Sequence, residues 1–546
     1  MNVALLSKRG SDAGAKLERR RGRSVRVGAD LECGVVGDAH AGGGERADGG
    51  IRARRARGGE DEEAEGDRTR AHCAAYTTGG PRDGRPVRAA RSIFQADGRA
   101  SRPPVGMSPL RVLLVSYAFP PTGGAGVARV LKLAKYLPDH GVTPAVLTVS
   151  NPSVPVRDAS RLGDVSPTMT VLRARTLEPG YGVKQAAWTA IRDEGGARKP
   201  SLRARAVGLA RGVLAPDPQI LWQPAAQLAL LRRMTGPSAD DVVFISAPPF
   251  SEFLLAPTVR ALRGKAVVLD YRDEWSTLRE SYEMVKGGLA ARIGEPLERW
   301  LLRRAHVVTT ATEAFRARLL ERFAFLRPER IFAIPNGYDR ADYPPSLEGP
   351  RGDELVVTYA GTIFRLTSAR GLLAAVRALH ATHPDLARRL RLRFLGRVVD
   401  TEESYFDDTE RLGVERVGYV DHDRVVRELA KSHLALCLLD DVPGVERIYP
   451  AKIFELMALG RPCLTLAPEG ALTELVRTHG LGTVLPPRDV GAIVEELRRT
   501  LAAFVLGSLP ASPPAHGIER YERRRLAGEF AEAFRLAARL ARGDRC

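Results

Sequence analysis

The sequence predicts two α/β domains in tandem, each a doubly wound parallel sheet, behind a leader that does not fold. Three observations predict it. From residue 110 onward, apolar runs of strand length alternate with helical patterns, and the series occurs twice. A segment rich in Pro, Gly and charge, DRADYPPSLEGPRGDE around 340–353, separates the two series. Residues 1–106, by contrast, carry almost no apolar periodicity.

Taken in order, the leader is rich in Gly, Ala, Arg and Asp and contains the mixed-charge run IRARRARGGEDEEAEGDRTRAH. Such a composition cannot bury enough apolar surface to fold. Met107 precedes SPLRVLLVSYAFPP, where a buried strand starts at once, so Met107 is read as the true start and 1–106 as an extension, with a genuine disordered tail as the alternative. The first domain, 107–342, carries the runs RVLLVS, AVLTV, VVFIS, AVVLD, HVVTT and IFAIP. Between the first two, VARVLKLAKYLPDHG has apolar residues at helical spacing. The second domain, 343–512, carries LVVTYAG, LRFLG, RVGYV, LALCLLD, PCLTLA and GTVLP. Residues 513–546 form an amphipathic helix expected to pack back across the domains.

Composition narrows the function classes. Hydrophobic residues make up 44% of 546, enough for real cores, and the formal net charge is +18, which suits anionic partners. The five cysteines show no CxxC pair or metal-ligand spacing, the usage of a reducing compartment. No apolar run is long enough to cross a membrane, and no signal h-region is seen. The stretch ARKPSLRARAVGLARGVL (197–214) interleaves arginines with apolar residues, which fits a solvated face or an anionic membrane surface. Nucleic-acid binding has no aromatic platform or motif behind it.

In open parallel sheets ligands bind beyond the carboxyl ends of the strands, and the chemistry-bearing residues fall there. In YPAKIFELMALGRPCLTL (449–466), Glu455 sits in a short helix among Ile453, Phe454, Leu456 and Met457. A carboxylate there needs a partner, either Lys452 one turn earlier or a ligand. Gly123, Gly124 and Gly126 precede a helix start, where backbone N–H groups can approach a phosphate. DYRDEW places Asp270, Arg272, Asp273 and Glu274 beside Trp275, a set suited to hydroxyl and sugar binding or to an ion-paired loop. YAGTIFRLTSARG supplies Gly361, Arg365 and Arg370, whose guanidinium groups suit a diphosphate. Asp440–Asp441 reads as a plain turn rather than a metal-binding pair.

Together FPPTGGAG, DYRDEW, IPNGYD, YAGT, FLGR, VGYV and YPAKIFELMALGRP resemble the bacterial glycosyltransferases of family 4, and more closely their surface-polysaccharide and O-antigen branch. The resemblance covers nearly all of 108–505. It implies a GT-B architecture, a nucleotide-diphosphate sugar donor, a saccharide or lipid-linked acceptor, retention of anomeric configuration, and neither metal nor cofactor. It implies that Glu455 grips the donor ribose, that Gly123, Gly124 and Gly126 approach the donor phosphates, and that Arg365 or Arg370 binds the diphosphate beside Lys452 and Gly361. Two departures stand out. The glutamate many relatives carry eight residues before Glu455 is Arg447 here, with Glu446 one residue off. Where many relatives place a histidine, this chain has Tyr271-Arg272-Asp273, so Asp273 takes an acceptor-orienting or base role with Arg272 beside it. The expected place of action is the cytoplasm, with peripheral contact to the inner face of the plasma membrane. The competing readings are a sugar-nucleotide epimerase or hydrolase on the same fold, and a non-catalytic basic protein of membrane surfaces or nucleic acid.

Overall fold

The computed structural model describes residues 109–124, 126–185, 214–276, 289–509 and 515–543, with side chains omitted for 289–292. The leader, Met107 and nearly all of the basic stretch 197–214 lie outside the described residues.

The first sheet has seven strands: β1 (Leu110–Val115), β2 (Val142–Val149), β3 (Thr170–Ala174), β4 (Val242–Ala247), β5 (Ala266–Tyr271), β6 (Val307–Thr310) and β7 (Ile331–Ala333). Their order is β3-β2-β1-β4-β5-β6-β7, and every pair is parallel. The second sheet has six: β8 (Leu355–Ala360), β9 (Leu390–Leu395), β10 (Val414–Gly418), β11 (Leu434–Leu438), β12 (Cys463–Leu466) and β13 (Gly482–Leu485). Their order, β10-β9-β8-β11-β12-β13, repeats the doubly wound pattern, again all parallel. The two expected sheets are therefore present. The strand missing from the sequence reading is β3, a half-exposed edge strand without a continuous apolar run.

Helices on both faces explain the apolar runs. Along β1, Leu113 and Val115 face a layer holding Trp222, Leu230 and Phe253, while Val112 and Leu114 face Leu131 and the helix Arg523–Arg542. That helix lies on the first sheet, with Phe530 and Phe534 edge-on to Phe244 at 5.5 and 5.4 Å. Full burial of each such side chain stabilises by about 1.5–3 kcal/mol. In the second domain Leu355 and Val357 pack against Leu372 and Leu497, and on the opposite face Ala435 and Cys437 pack against Ile453, Phe454 and Leu475.

The chain crosses between the sheets twice. The outgoing and returning segments pair side by side, Tyr338 N donating to Tyr521 O at 3.1 Å and Arg523 N to Tyr338 O at 2.9 Å. Beneath this crossing, Lys132 is enclosed by Asp164 and Asp339, each at 2.7 Å, and Asp342 at 2.5 Å. Hydrogen bonds from Lys132 and Tyr136 outweigh burial and hold Asp339 well below the usual carboxylate range. The sequence reading saw no acidic cluster. These three acids form one only in the fold, and an ammonium already sits among them.

Candidate active site

The loops that follow strands of one sheet meet the loops that follow strands of the other, so the two carboxyl edges face each other. Thr312, after β6, donates its hydroxyl to Arg447 O, after β11, at 2.6 Å. Asp158, after β2, accepts from the Tyr419 hydroxyl at 3.4 Å and from His422 N at 3.3 Å, both after β10. Tyr181 accepts from Arg397, after β9, at 2.9 Å. Ligands of doubly wound sheets bind at this edge.

On the first-domain side, the glycine loop leads into helix Gly126–Tyr136. Gly124 has φ +98°, a conformation that strongly favours glycine. A Cβ on Gly123 would lie 2.6 Å from Val156 and 2.7 Å from the Tyr419 hydroxyl, so the loop is pressed against the second domain. A Cβ on Gly126 would lie 3.1 Å from Arg272 Nη1. Arg272 is buried and donates to Gly126 O at 2.5 Å and to Pro248 O. It ties the start of the glycine-loop helix to the loop after β4.

The remaining DYRDEW charges separate into distinct tasks. Asp270 is wholly engaged: Arg129 binds it through Nε at 2.9 Å and Nη2 at 2.7 Å, and the Ser246 and Thr309 hydroxyls each donate at 2.7 Å. Glu274 is buried and paired with Arg447 of the second domain at 2.8 Å. Trp275 is no sugar platform, because it stacks on Phe250 at 4.5 Å inside the core. Asp273 is half-buried and has no hydrogen bond among the described residues. Burial raises its pKa, against the pull of the Arg272 and Arg129 charges. A carboxyl so placed can orient or accept a proton.

On the second-domain side, helix Lys452–Leu459 buries Ile453, Phe454, Leu456 and Met457. Of the two partners open to Glu455, Lys452 does not pair with it. The Lys452 ammonium lies over the Tyr359 ring, 3.6 Å from its centroid. It also fills the space above Gly361, whose φ is +146° and whose added Cβ would meet Nζ at 2.4 Å. The aromatic face at the end of β8 captures the ammonium that helical spacing would have given to Glu455. Nor is the helix apolar all round: the Glu455 side chain is 25% exposed, with His422 Nδ1 3.9 Å from its Oε1 and His422 Nε2 3.4 Å from Asp342.

Arg365 and Arg370 line a cavity of ≈ 380 Å³ with Ser368, Glu402, Tyr405, Asp440 and Arg488. Asp440 is more than part of a bare turn. It binds Arg370 at 2.7 Å and Arg488 at 2.9 Å, orienting two guanidinium groups at once. Ser368 donates to Glu402 at 2.5 Å, and Glu402 is raised by burial despite that bond. The fold thus gathers the expected residues into three groups: Gly123, Gly126, Arg272 and Asp273; Gly361, Lys452 and, along the same helix, Glu455; and Arg365 with Arg370. Sequence reasoning missed His422, Arg488, Asp158 and the orienting part of Asp440. Their partners are distant in sequence, and no local motif marks them.

The family model described as glycosyl transferase 4-like domain matches residues 123–337, and the one described as glycosyl transferases group 1 matches 354–503. A D-inositol 3-phosphate glycosyltransferase of Stackebrandtia nassauensis is 28% identical over 163 residues, 28% of this chain and 37% of that protein, so the match spans well under half of the curated relative. Among solved structures, sucrose-phosphate synthase from Thermosynechococcus elongatus superposes with a TM-score of 0.52 at 14% identity, over 78% of this chain and 98% of that one. Anabaena HepE, solved in complex with UDP and glucose, gives 0.51 at 16% identity over 78% and 99%. These likenesses show the shared two-domain fold. With the tandem family matches spanning well over half of the sequence, the chain belongs to glycosyltransferase family 4 and has the GT-B fold.

Proposed function

We propose that the protein moves a sugar from a nucleotide-diphosphate sugar to an acceptor hydroxyl with retention of configuration, without metal or cofactor. The observation that carries this reading is helix Lys452–Leu459, which sets the Lys452 ammonium against Gly361 at the end of β8 and leaves Glu455 part-exposed on the same helix. In this proposal Glu455 accepts hydrogen bonds from the ribose hydroxyls. Lys452, with Arg365 or Arg370, meets the charge that gathers on the departing diphosphate. Fixed cations aimed where charge develops stabilise such a transition state without reorganising during the reaction. The glycine loop at the start of helix Gly126–Tyr136 adds backbone N–H groups. Asp273 orients the acceptor hydroxyl, and Arg272 holds the glycine loop beside it. The acceptor is a saccharide or lipid-linked saccharide of surface polysaccharide or glycolipid synthesis.

Among the described residues no helix is long and apolar enough to cross a membrane. Peripheral contact with an anionic surface, suggested by the +18 charge, belongs to the same proposal, and absence of flotation with anionic liposomes at modest salt would remove it.

A thermal-shift screen of UDP-, GDP- and dTDP-sugars against the wild type and Glu455→Ala tests the reading. One donor is expected to stabilise the wild type, by about 2.7 kcal/mol at 100 times its Kd, and the variant far less. Equal shifts in both proteins would refute the role of Glu455.

A further inference from the structure

We propose that the Glu274–Arg447 ion pair is a positioning clamp that fixes the acceptor-side carboxylate of Asp273 over the donor-side loop. The inference rests on the transferase reading above and adds to it the element that sets the distance between the two half-sites.

The pair joins the two sheets at their facing edges. Arg447 Nε and Nη2 both lie 2.8 Å from Glu274 Oε2, and Ser276 Oγ donates to the other oxygen, Oε1, at 2.8 Å. The Glu274 side chain is 2% exposed and that of Arg447 is 20% exposed. A second first-domain group holds the main chain of the same residue, the Thr312 hydroxyl on Arg447 O at 2.6 Å. Thr312 itself is fixed, since its Oγ1 accepts from Phe315 N at 3.0 Å and caps helix Glu313–Arg322. Arg447 is thus gripped through side chain and backbone by the segments that follow β5 and β6.

Both ends of the grip sit next to the proposed chemistry. Glu274 adjoins Asp273. Arg447 lies five residues before Lys452 in a loop pinned by buried Val445 on one side and buried Ile453 on the other. A loop anchored at both ends transmits the position of Arg447 to the start of the donor helix. The arrangement also sets a cation from the other domain against a covered carboxylate, which favours keeping the two together. Opening the cleft separates the pair. The clamp therefore favours closure, and closure keeps water from the donor during transfer.

The test uses the full-length protein as Arg447→Met, Glu274→Gln and the charge-swapped double variant Glu274→Arg/Arg447→Glu. Transfer, donor hydrolysis and the radius of gyration from small-angle scattering are measured for each. The single variants are expected to lower kcat about tenfold with donor KM within about threefold, and to raise the ratio of hydrolysis to transfer. The double variant is expected to recover part of kcat beyond the product of the single effects. Unchanged kcat in both single variants, or a double variant no better than that product while all remain folded by circular dichroism, would overturn the clamp. Scattering separates the two levels of the argument. A larger radius for Arg447→Met without any substrate supports the clamp even if no donor is ever turned over, and an unchanged radius refutes it whatever the activity.

Discussion

Replacing Lys132 by Ala removes the one cation that three acids share beneath the domain crossing. Its ammonium is 1% exposed, within 2.7 Å of Asp164, Asp339 and Asp342. Asp339 also accepts from Tyr136 at 2.6 Å and Lys135 at 3.0 Å. Breaking a buried pair by deleting one partner typically costs about 3–5 kcal/mol, because the remaining charge is left uncompensated. Lys135 stays within 2.6 Å of Asp164, so the lower end applies. For a domain of this size about 3 kcal/mol corresponds to a fall in Tm of ~6–12 °C. A second consequence follows from the geometry. The three carboxylates offer oxygens that all lie within 4.8 Å of one another, and in the variant they surround space vacated by an ammonium. A hard divalent cation suits such a set. If calcium binds with a Kd of about 0.1 mM, 1 mM calcium restores about 1.4 kcal/mol to the variant. Scanning calorimetry of both proteins with and without calcium measures all of this. A variant that melts within ~2 °C of the wild type, or a wild type that gains as much from calcium as the variant, would refute the reasoning.

Two further outcomes are expected. Glu252 is fully buried, its Oε1 accepting from Tyr117 N at 2.8 Å, and burial pushes its pKa up to about 8. The folded protein then holds a proton that the unfolded chain loses near pH 4.5, so stability falls as pH rises from about 4.5 to 8. Glu252→Gln should remove that slope, matching the wild type at pH 4.5 and exceeding it by about 3–5 kcal/mol at pH 8.5, and parallel pH profiles of Tm would contradict this. Phe534→Ala, which empties a fully buried site against Phe244, should cost about 3–5 kcal/mol and raise protease sensitivity around residue 523, and an unchanged denaturation midpoint would show that the helix contributes little to the first sheet.

The fold was legible where burial on both faces writes a continuous apolar run. β1, β4, β5, β8 and β11 announce themselves in this way, whereas β3, half-exposed at the sheet edge, does not. Site residues were legible as positions at strand ends but not as partnerships. The three-residue spacing of Lys452 and Glu455 left an ion pair open beside a ligand, yet the Tyr359 face, far away in sequence, holds the lysine. Trp275 looked like a ligand platform because its stacking partner Phe250 is invisible from the local motif. Glu274 and Arg447 lie 173 residues apart, and nothing in either segment names the other. Local sequence encodes which surface a side chain faces. The partner on that surface is set by topology.

The helix Arg523–Arg542 has a consequence for the order in which the molecule can be made. It covers the face of the first sheet formed by Val112, Phe244 and Val268, yet follows the whole second sheet in the chain. A ribosome therefore releases the first sheet with one apolar face only partly covered, by helix Gly126–Tyr136, and must synthesise residues 334–522 before the rest of its cover begins. The second domain can nearly complete itself earlier, since its sheet and most of its two helical layers are contiguous in sequence up to Val505, with Tyr521 the buried residue still to come. The half that is translated first is finished last, and chaperone demand during synthesis should fall on that waiting face.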